Sequence, residues 1–185
     1  RPGDDAGGAP AAPDGIVDRA WVETEWTLPR AMRTARFWWL MLSFSAGLYA
    51  WYAVQVHQTR YLIDIGFSDK VAAYALGLVG LCGIAGQIAI GHLSDRVGRE
   101  WAWSFACLGF VATYVCLLLL HEWPQHWLMY VMVGVQGFLG YGAASVFGAV
   151  PAELFAGKRY GLIFGVIASA AGAGAALGPW AMGLM

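Results

Sequence analysis

The chain has 185 residues, of which 59% are hydrophobic and 12% charged, and its net charge is −1. Soluble domains carry about 25% charged residues, so a water-soluble globule is excluded, and the many apolar and aromatic residues exclude disorder for most of the length. No run of Lys or Arg indicates a nucleic-acid partner. The composition therefore predicts a membrane protein.

Residues 1–34 differ from the rest of the chain because they are rich in Gly, Pro, Ala and acidic residues. This composition is typical of linkers, and we predict that the segment is disordered. The chain begins at Arg1 without a signal-peptide pattern and ends within an apolar run. We therefore expect it to be a fragment of a longer polypeptide.

Five apolar blocks follow within residues 35–185, and each is long enough to cross a bilayer, which takes about 20 residues. Because lipid cannot satisfy an open backbone, we predict that every block is a transmembrane helix and that the protein is all-α. Trp and Tyr residues at several block edges are typical of interfacial anchors. The predicted spans are about 37–61, 71–90, 101–120, 127–150 and 160–185.

The basic residues predict the sidedness of this bundle. If segment 1–34 is cytoplasmic, seven of the nine basic residues from Arg30 onward lie inside and only Arg60 and Lys70 lie outside, in agreement with the positive-inside rule. We therefore expect a multi-pass protein of the cell (inner) membrane, with the linker and the 91–100 loop in the cytoplasm. The inside residues are Arg30, Arg33, Arg36, Arg96, Arg99, Lys158 and Arg159.

The stretch GHLSDRVGRE, residues 91–100, interrupts the apolar sequence between the second and third spans. Its charges are explained in part as positive-inside anchors on a tight turn, where a glycine permits a left-handed backbone. The full pattern, G-x-x-x-D-R-x-G-R, resembles the cytoplasmic signature of the major facilitator superfamily, with Glu100 in place of a basic residue. The resemblance implies a gating motif at Gly91, Asp95, Arg96, Gly98 and Arg99.

A second motif lies in the last span, GVIASAAGAGAALGPWAMG. It is similar to the glycine–proline motif of the family's fifth helix, with Met182 in place of one glycine. The two six-helix halves of the family are related by an axis along the membrane normal, so an eleventh helix can carry the same motif. On this basis Gly174, Gly178 and Pro179 are predicted packing or hinge residues.

Two features favour the C-terminal half of that fold. The family's fourth helix carries an arginine three residues before a Gln-Gly pair, whereas Val133 stands at that place here. The stretch TLPRAMRTARFWWL is similar to the central junction of monocarboxylate and oxalate–formate carriers. The resemblance implies five transmembrane helices, seven to eleven, that form most of one six-helix half. Helix twelve and the N-terminal half of the same polypeptide would be missing.

Polar residues inside the first span are candidate functional residues, because polar groups are costly in lipid. At about 100° per residue, Tyr49, Tyr52 and Arg60 lie on one face, with Gln55 on its flank. A water-filled cavity and ordinary interhelical hydrogen bonds explain this face equally well. Arg60 lies near the outer end, where snorkelling is an equal alternative.

Three further polar residues stand out in the other spans. Gln87 lies on the glycine face of the second span, where an amide bonding across a helix contact is the stronger interpretation. Gln136 is a candidate in the fourth span, but in a regular helix it shares no face with Tyr141. Glu153, after Pro151, is interpreted as a solvated cap. We take Tyr49, Tyr52, Gln55, Arg60, Gln87 and Gln136 as the predicted substrate-pathway residues.

The resemblance implies secondary-active transport of a small solute by alternating access. An organic anion such as a monocarboxylate is a family-level expectation, although the second and fifth spans contain no Lys or Arg. A drug-efflux carrier of the same fold and a non-transporting sensor or scaffold are the alternatives. We expect no enzyme activity, metal site or cofactor; coupling to H⁺ or to a counter-transported solute is left open. The expected partners are the solute, the bilayer and the other half.

Overall fold

The computed structural model describes residues 19–184, which are helical and contain no β-strand. A π-helical turn, Gln136–Gly140, separates α6 from α7. The helices are α1 Arg19–Val22, α2 Leu28–Ala31, α3 Ala35–Asp64, α4 Asp69–Val97, α5 Arg99–Glu122, α6 His126–Val135, α7 Ala143–Phe147, α8 Ala149–Leu154 and α9 Tyr160–Met182.

Four helical stretches in the described residues are long and apolar enough to cross a membrane: α4, α5, the continuous segment His126–Leu154, and α9. They correspond to the second to fifth predicted spans, so the all-α membrane fold is confirmed. The first predicted span lies within α3, which has 30 residues. Its Trp, Tyr, Ser and Gln residues lower its mean hydropathy, so a fifth span at α3 remains a prediction.

The connection between α4 and α5 is much shorter than predicted. α4 continues to Val97 and α5 begins at Arg99, so most of the predicted 91–100 loop is helix. Gly98 alone separates the two helices, with φ 98° and ψ 151°, a region that is populated essentially only by glycine. This single residue reverses the chain.

The prediction of a disordered linker is wrong for residues 19–34, while residues 1–18 lie outside the described part. Trp26 is 5% exposed, and its ring packs edge-on against Phe155. The Trp21 indole donates a hydrogen bond to the Leu154 carbonyl oxygen, 2.6 Å away. The Arg36 guanidinium lies over the Trp21 ring. A few aromatic side chains are enough to anchor a segment whose average composition is that of a linker.

The helices form two groups. In the first, α9 packs along α3 for most of its length. Gly174 and Gly178 lie where the two backbones touch, since a Cβ atom at either position would overlap the carbonyl oxygen of Ser45 or Tyr49. Small residues allow such close approach in lipid, where burial of apolar surface no longer drives association.

The second group contains α4, α5, α6, the π-turn and α7. Gly86 and Gly137 let α4 contact the π-turn backbone: a Cβ at Gly137 would lie 2.7 Å from the Val79 carbonyl oxygen. α3 meets this group along a contact that we call the seam. Apolar clusters fill its two ends, around Phe44 and Phe155 at one end and around Leu62 and Leu120 at the other. Cavities lie between them.

Candidate functional site

A charged cluster marks the end of the bundle that contains Gly98, which we call the Gly98 end. Arg99 is at its centre: Nη1 lies 2.7 Å from Oδ1 of Asp95, and Nε donates to Oε1 of Glu153 at 2.9 Å. Nη1 also donates to the hydroxyl of Ser94. One guanidinium therefore joins the end of α4, the start of α5 and α8.

The interpretation of Glu153 as a solvated cap was incomplete. Its side chain is 60% exposed, yet it is an ion-pair partner of Arg99. The two residues are 54 positions apart, so spacing along the chain carried no signal. The sequence did contain one signal. Glu153 is an acidic residue near the connection between the fourth and fifth spans, and the predicted topology places that connection at the same end as the arginines.

The other motif residues take different positions. Gly98 forms the turn, and a Cβ at Gly91 would meet the Cβ of Ser145 at 3.4 Å, an ordinary contact. Arg96 is exposed and forms no ion pair within the described residues. Among the five motif residues, Asp95 and Arg99 are thus the two that form ion pairs within the described residues.

A polar site lies in the middle of the seam. The Gln136 amide nitrogen donates to Oε1 of Gln55 at 3.3 Å, which links the π-turn to α3. Gln136 is 6% exposed, and its own Oε1 has no hydrogen-bond partner among the described residues. A buried acceptor without a partner is unusual, because desolvation is then uncompensated.

The π-turn also corrects the prediction that Gln136 and Tyr141 do not share a face. The backbone N–H of Tyr141 donates to the Gln136 carbonyl oxygen at 3.3 Å. In this π-turn, residues five apart in sequence are therefore separated by about one turn of helix. Both side chains consequently line the same small cavity. Regular-helix geometry, on which the prediction was based, does not hold here.

Three more side-chain hydrogen bonds cross the seam at different heights. The Trp103 indole donates to the Ser43 hydroxyl at 2.8 Å, and the Tyr114 hydroxyl donates to the Ala50 carbonyl oxygen at 3.0 Å. The Tyr61 hydroxyl donates to the Leu117 carbonyl oxygen at 2.8 Å. These contacts were not predicted from the sequence. Each donor is an aromatic residue, and aromatic residues are also found in apolar helices for packing or at the membrane interface.

Two adjoining cavities accompany these bonds. The larger, about 210 Å³, lies between α3, α5 and α7 and has walls of aromatic rings. The smaller, about 10 Å³, contains Gln136 at its wall and shares Trp51 and Phe110 with the larger one. A space of this size holds about one water molecule.

The remaining predicted pathway residues are dispersed. Tyr52 lines the larger cavity, and Tyr49 is partly exposed one turn away on α3. Arg60 forms an ion pair with Asp64 at 2.9 Å, near the C-terminal end of α3. Gln87 is exposed on α4 and lines neither cavity. The structure therefore brings Gln55 and Gln136 into contact, places Tyr52 at the adjoining cavity, and places Arg60 and Gln87 elsewhere.

Pro179 lies inside α9, and its carbonyl oxygen is 3.0 Å from Nε2 of His57 on α3. The proline adds a polar bridge to the α3–α9 contact made by Gly174 and Gly178. The three predicted packing residues therefore lie on one contact surface.

The family model of the Major Facilitator Superfamily matches residues 39–185. No curated protein is significantly similar to the chain. The matched region contains the Arg99 cluster, the seam and both cavities, and it accounts for more than half of the chain. Members of this family are secondary transporters rather than enzymes. The chain is a multi-pass membrane protein that belongs to the Major Facilitator Superfamily.

Proposed function

We propose that this chain forms one wall of a transporter that moves a small solute by alternating access, and that the Arg99 cluster helps to close its cytoplasmic side. The observation that carries the proposal is the bridge from Arg99 to Asp95 and to Glu153. It joins three helices at the end where the substrate path would be sealed.

The sidedness of the proposal is supported by the basic residues. The connection before α3, the α4–α5 turn and the α8–α9 connection meet at the Gly98 end, as the contacts of Trp21 with Leu154 and of Arg99 with Glu153 require. These segments carry the seven basic residues that the positive-inside rule assigns to the cytoplasm. The inner membrane and the N-terminal half of the same polypeptide are part of this proposal.

The energetics of the cluster suit a gate that opens repeatedly. Asp95 is 61% exposed and Glu153 60% exposed, and exposed ion pairs contribute only about 0–1 kcal/mol each. Such contacts orient α4, α5 and α8 without locking them. The exposed carboxylate of Asp95 retains lone pairs for a partner on the other half.

The test combines transport with a readout that needs no known substrate. The Ala152→Cys substitution is introduced into the full-length protein without native cysteines. A membrane-impermeant maleimide is added from the cytoplasmic side, and the rate at which it labels this cysteine measures how accessible α8 is. We expect Asp95→Asn to raise this rate and to slow uptake of labelled solutes by proteoliposomes. The matched control is Glu100→Gln, because Glu100 is exposed at the same end and has no ion-pair partner among the described residues.

Equal labelling and equal uptake in the wild-type protein and Asp95→Asn would refute the gate. A drug-efflux carrier of the same fold is the second candidate, favoured by the aromatic walls of the larger cavity. Uptake and efflux are separated by measuring solute movement in both directions across intact cells. Within the proposal the transporter needs no cofactor, and coupling to H⁺ is tested in the same vesicles by imposing a pH gradient.

A further inference from the structure

We infer that the two mid-seam cavities form a binding site for an uncharged aromatic molecule that carries an N–H or O–H donor. This inference rests on the proposed function, since it names the class of solute that the transporter would carry. It differs from the organic anion expected from the resemblance.

The polar requirement comes from Gln136. Its Oε1 is buried and unpartnered, and it cannot be satisfied by the hydroxyls beside it. The Thr113 hydroxyl already donates to the Gly109 carbonyl oxygen, and the Tyr114 hydroxyl already donates to Ala50. Both of these neighbours are left with acceptor lone pairs only, and no other side chain of the described residues donates to Gln136 Oε1.

The shape requirement comes from the larger cavity. Trp51 and Phe110 line both cavities, and Trp51 packs on Tyr141 with ring centroids 4.3 Å apart. Aromatic pairs prefer offset or edge-on contacts that a further ring can extend. In the proposed complex a planar ring lies in the larger cavity, with its donor directed past the shared residues Trp51 and Phe110 to Gln136 in the smaller one. The rings that line the larger cavity are those of Trp51, Tyr52, Trp103, Phe110 and Phe147.

The charge requirement comes from the lining as a whole. Among the described residues that line the two cavities, none carries a charge. An ion transferred from water into such surroundings loses its hydration without gaining a counter-charge.

The competing explanation is a single water molecule in the smaller cavity, which would donate to Gln136 without any ligand. The probe that separates the two is indole, compared with benzofuran, which has the same shape but an oxygen in place of the N–H group. We would measure the binding of tritiated probes to the full-length protein in nanodiscs by equilibrium dialysis. This ligand pair needs no variant, so misfolding cannot confuse the result.

We expect indole to bind about tenfold more tightly than benzofuran, since only indole satisfies the buried acceptor. Gln136→Leu should abolish this difference, whereas Gln125→Leu, which replaces an exposed glutamine outside the cavities, should preserve it. Indole-3-carboxylate and cationic tryptamine should bind more weakly than indole. Equal binding of indole and benzofuran, no binding of either, or tighter binding of a charged probe would overturn the inference.

Failure of the site is distinguishable from failure of the transport proposal. Donor-dependent binding of indole in a protein that moves no solute in either direction would retain the site and reject transport. Transport of another solute that is sensitive to Asp95→Asn, without binding of indole, would retain the transporter and reject this site.

Discussion

The Nε atom of Arg99 lies 2.9 Å from Oε1 of Glu153, and this contact joins the start of α5 to α8. If the ion pair contributes to closing the Gly98 end, reversing both charges should preserve it. We expect Arg99→Glu and Glu153→Arg each to slow transport and the double variant to recover part of the rate. A double-mutant cycle on unfolding should give a coupling of about 0.2–1 kcal/mol, the range for exposed pairs. A double variant that transports no faster than either single variant would contradict this.

The contact of α9 with α3 predicts a difference between glycines of one helix. Gly178→Ala places a Cβ atom against the Tyr49 carbonyl oxygen and should lower the free energy of unfolding by about 1–3 kcal/mol, the usual cost of overpacking. Gly165→Ala is the control, since a Cβ there meets nothing within 4 Å. Thermal unfolding in detergent measures both, and equal melting temperatures for the two variants would show that close helix approach is not required.

The two motif glycines should respond differently to alanine. Gly98 has φ 98°, so Gly98→Ala is strained and should cost about 1–3 kcal/mol. Gly91→Ala meets only an ordinary contact with Ser145, and its effect should stay below about 0.5 kcal/mol. Denaturant titration of both variants provides the measurement. A larger loss at Gly91 than at Gly98 would mean that the other half presses on Gly91.

The hydrogen bonds across the seam predict a cost for losing one hydroxyl. Tyr114→Phe removes the donor to the Ala50 carbonyl oxygen, and it should destabilise the bundle by about 0.6 kcal/mol and at most about 1.7, as for other bonds between membrane helices. Tyr74→Phe is the matched control, because Tyr74 is exposed. If both variants unfold at the same denaturant concentration, the seam does not depend on this bond.

The packing of Trp26 predicts that residues 19–34 are protected from proteases. Trp26→Ala removes a buried ring from the contact with Phe155 and should expose the chain at Arg30 and Arg33. Limited trypsin digestion followed by mass spectrometry measures cleavage at these sites. Trp39→Ala, at a ring that is 70% exposed, is the control. Rapid cleavage already in the wild-type protein would contradict the packing.

Much of the helical framework could be predicted from the sequence, and the reasons for the exceptions are physical. A run of about 20 apolar residues can satisfy its backbone in lipid only as a helix, and α4, α5, His126–Leu154 and α9 follow this rule. The turn at Gly98 was also predictable, because a positive φ favours glycine. The packing of Trp21 and Trp26 was not, since composition averages over a segment and conceals two anchoring rings.

The candidate site was predictable only in its parts. Tyr52, Gln55 and Gln136 could be selected because polar groups inside apolar helices are costly, and Asp95 and Arg99 because the motif contains them. That Arg99 reaches Glu153, and that Gln136 bonds Gln55, depends on how separate helices pack. The π-turn changed which residues share a face, and no periodicity that assumes a regular helix could anticipate it.

Local chemistry in the chain alone thus decided which segments are membrane helices, where the chain turns and which polar residues are available. Tertiary packing decided which of those residues meet, because contacts between residues 54 or 81 positions apart depend on helix approach and rotation. Helix approach and helix rotation are set by the glycine contacts and by the π-turn. Each depends on two packed surfaces together, and neither sequence segment determines it alone.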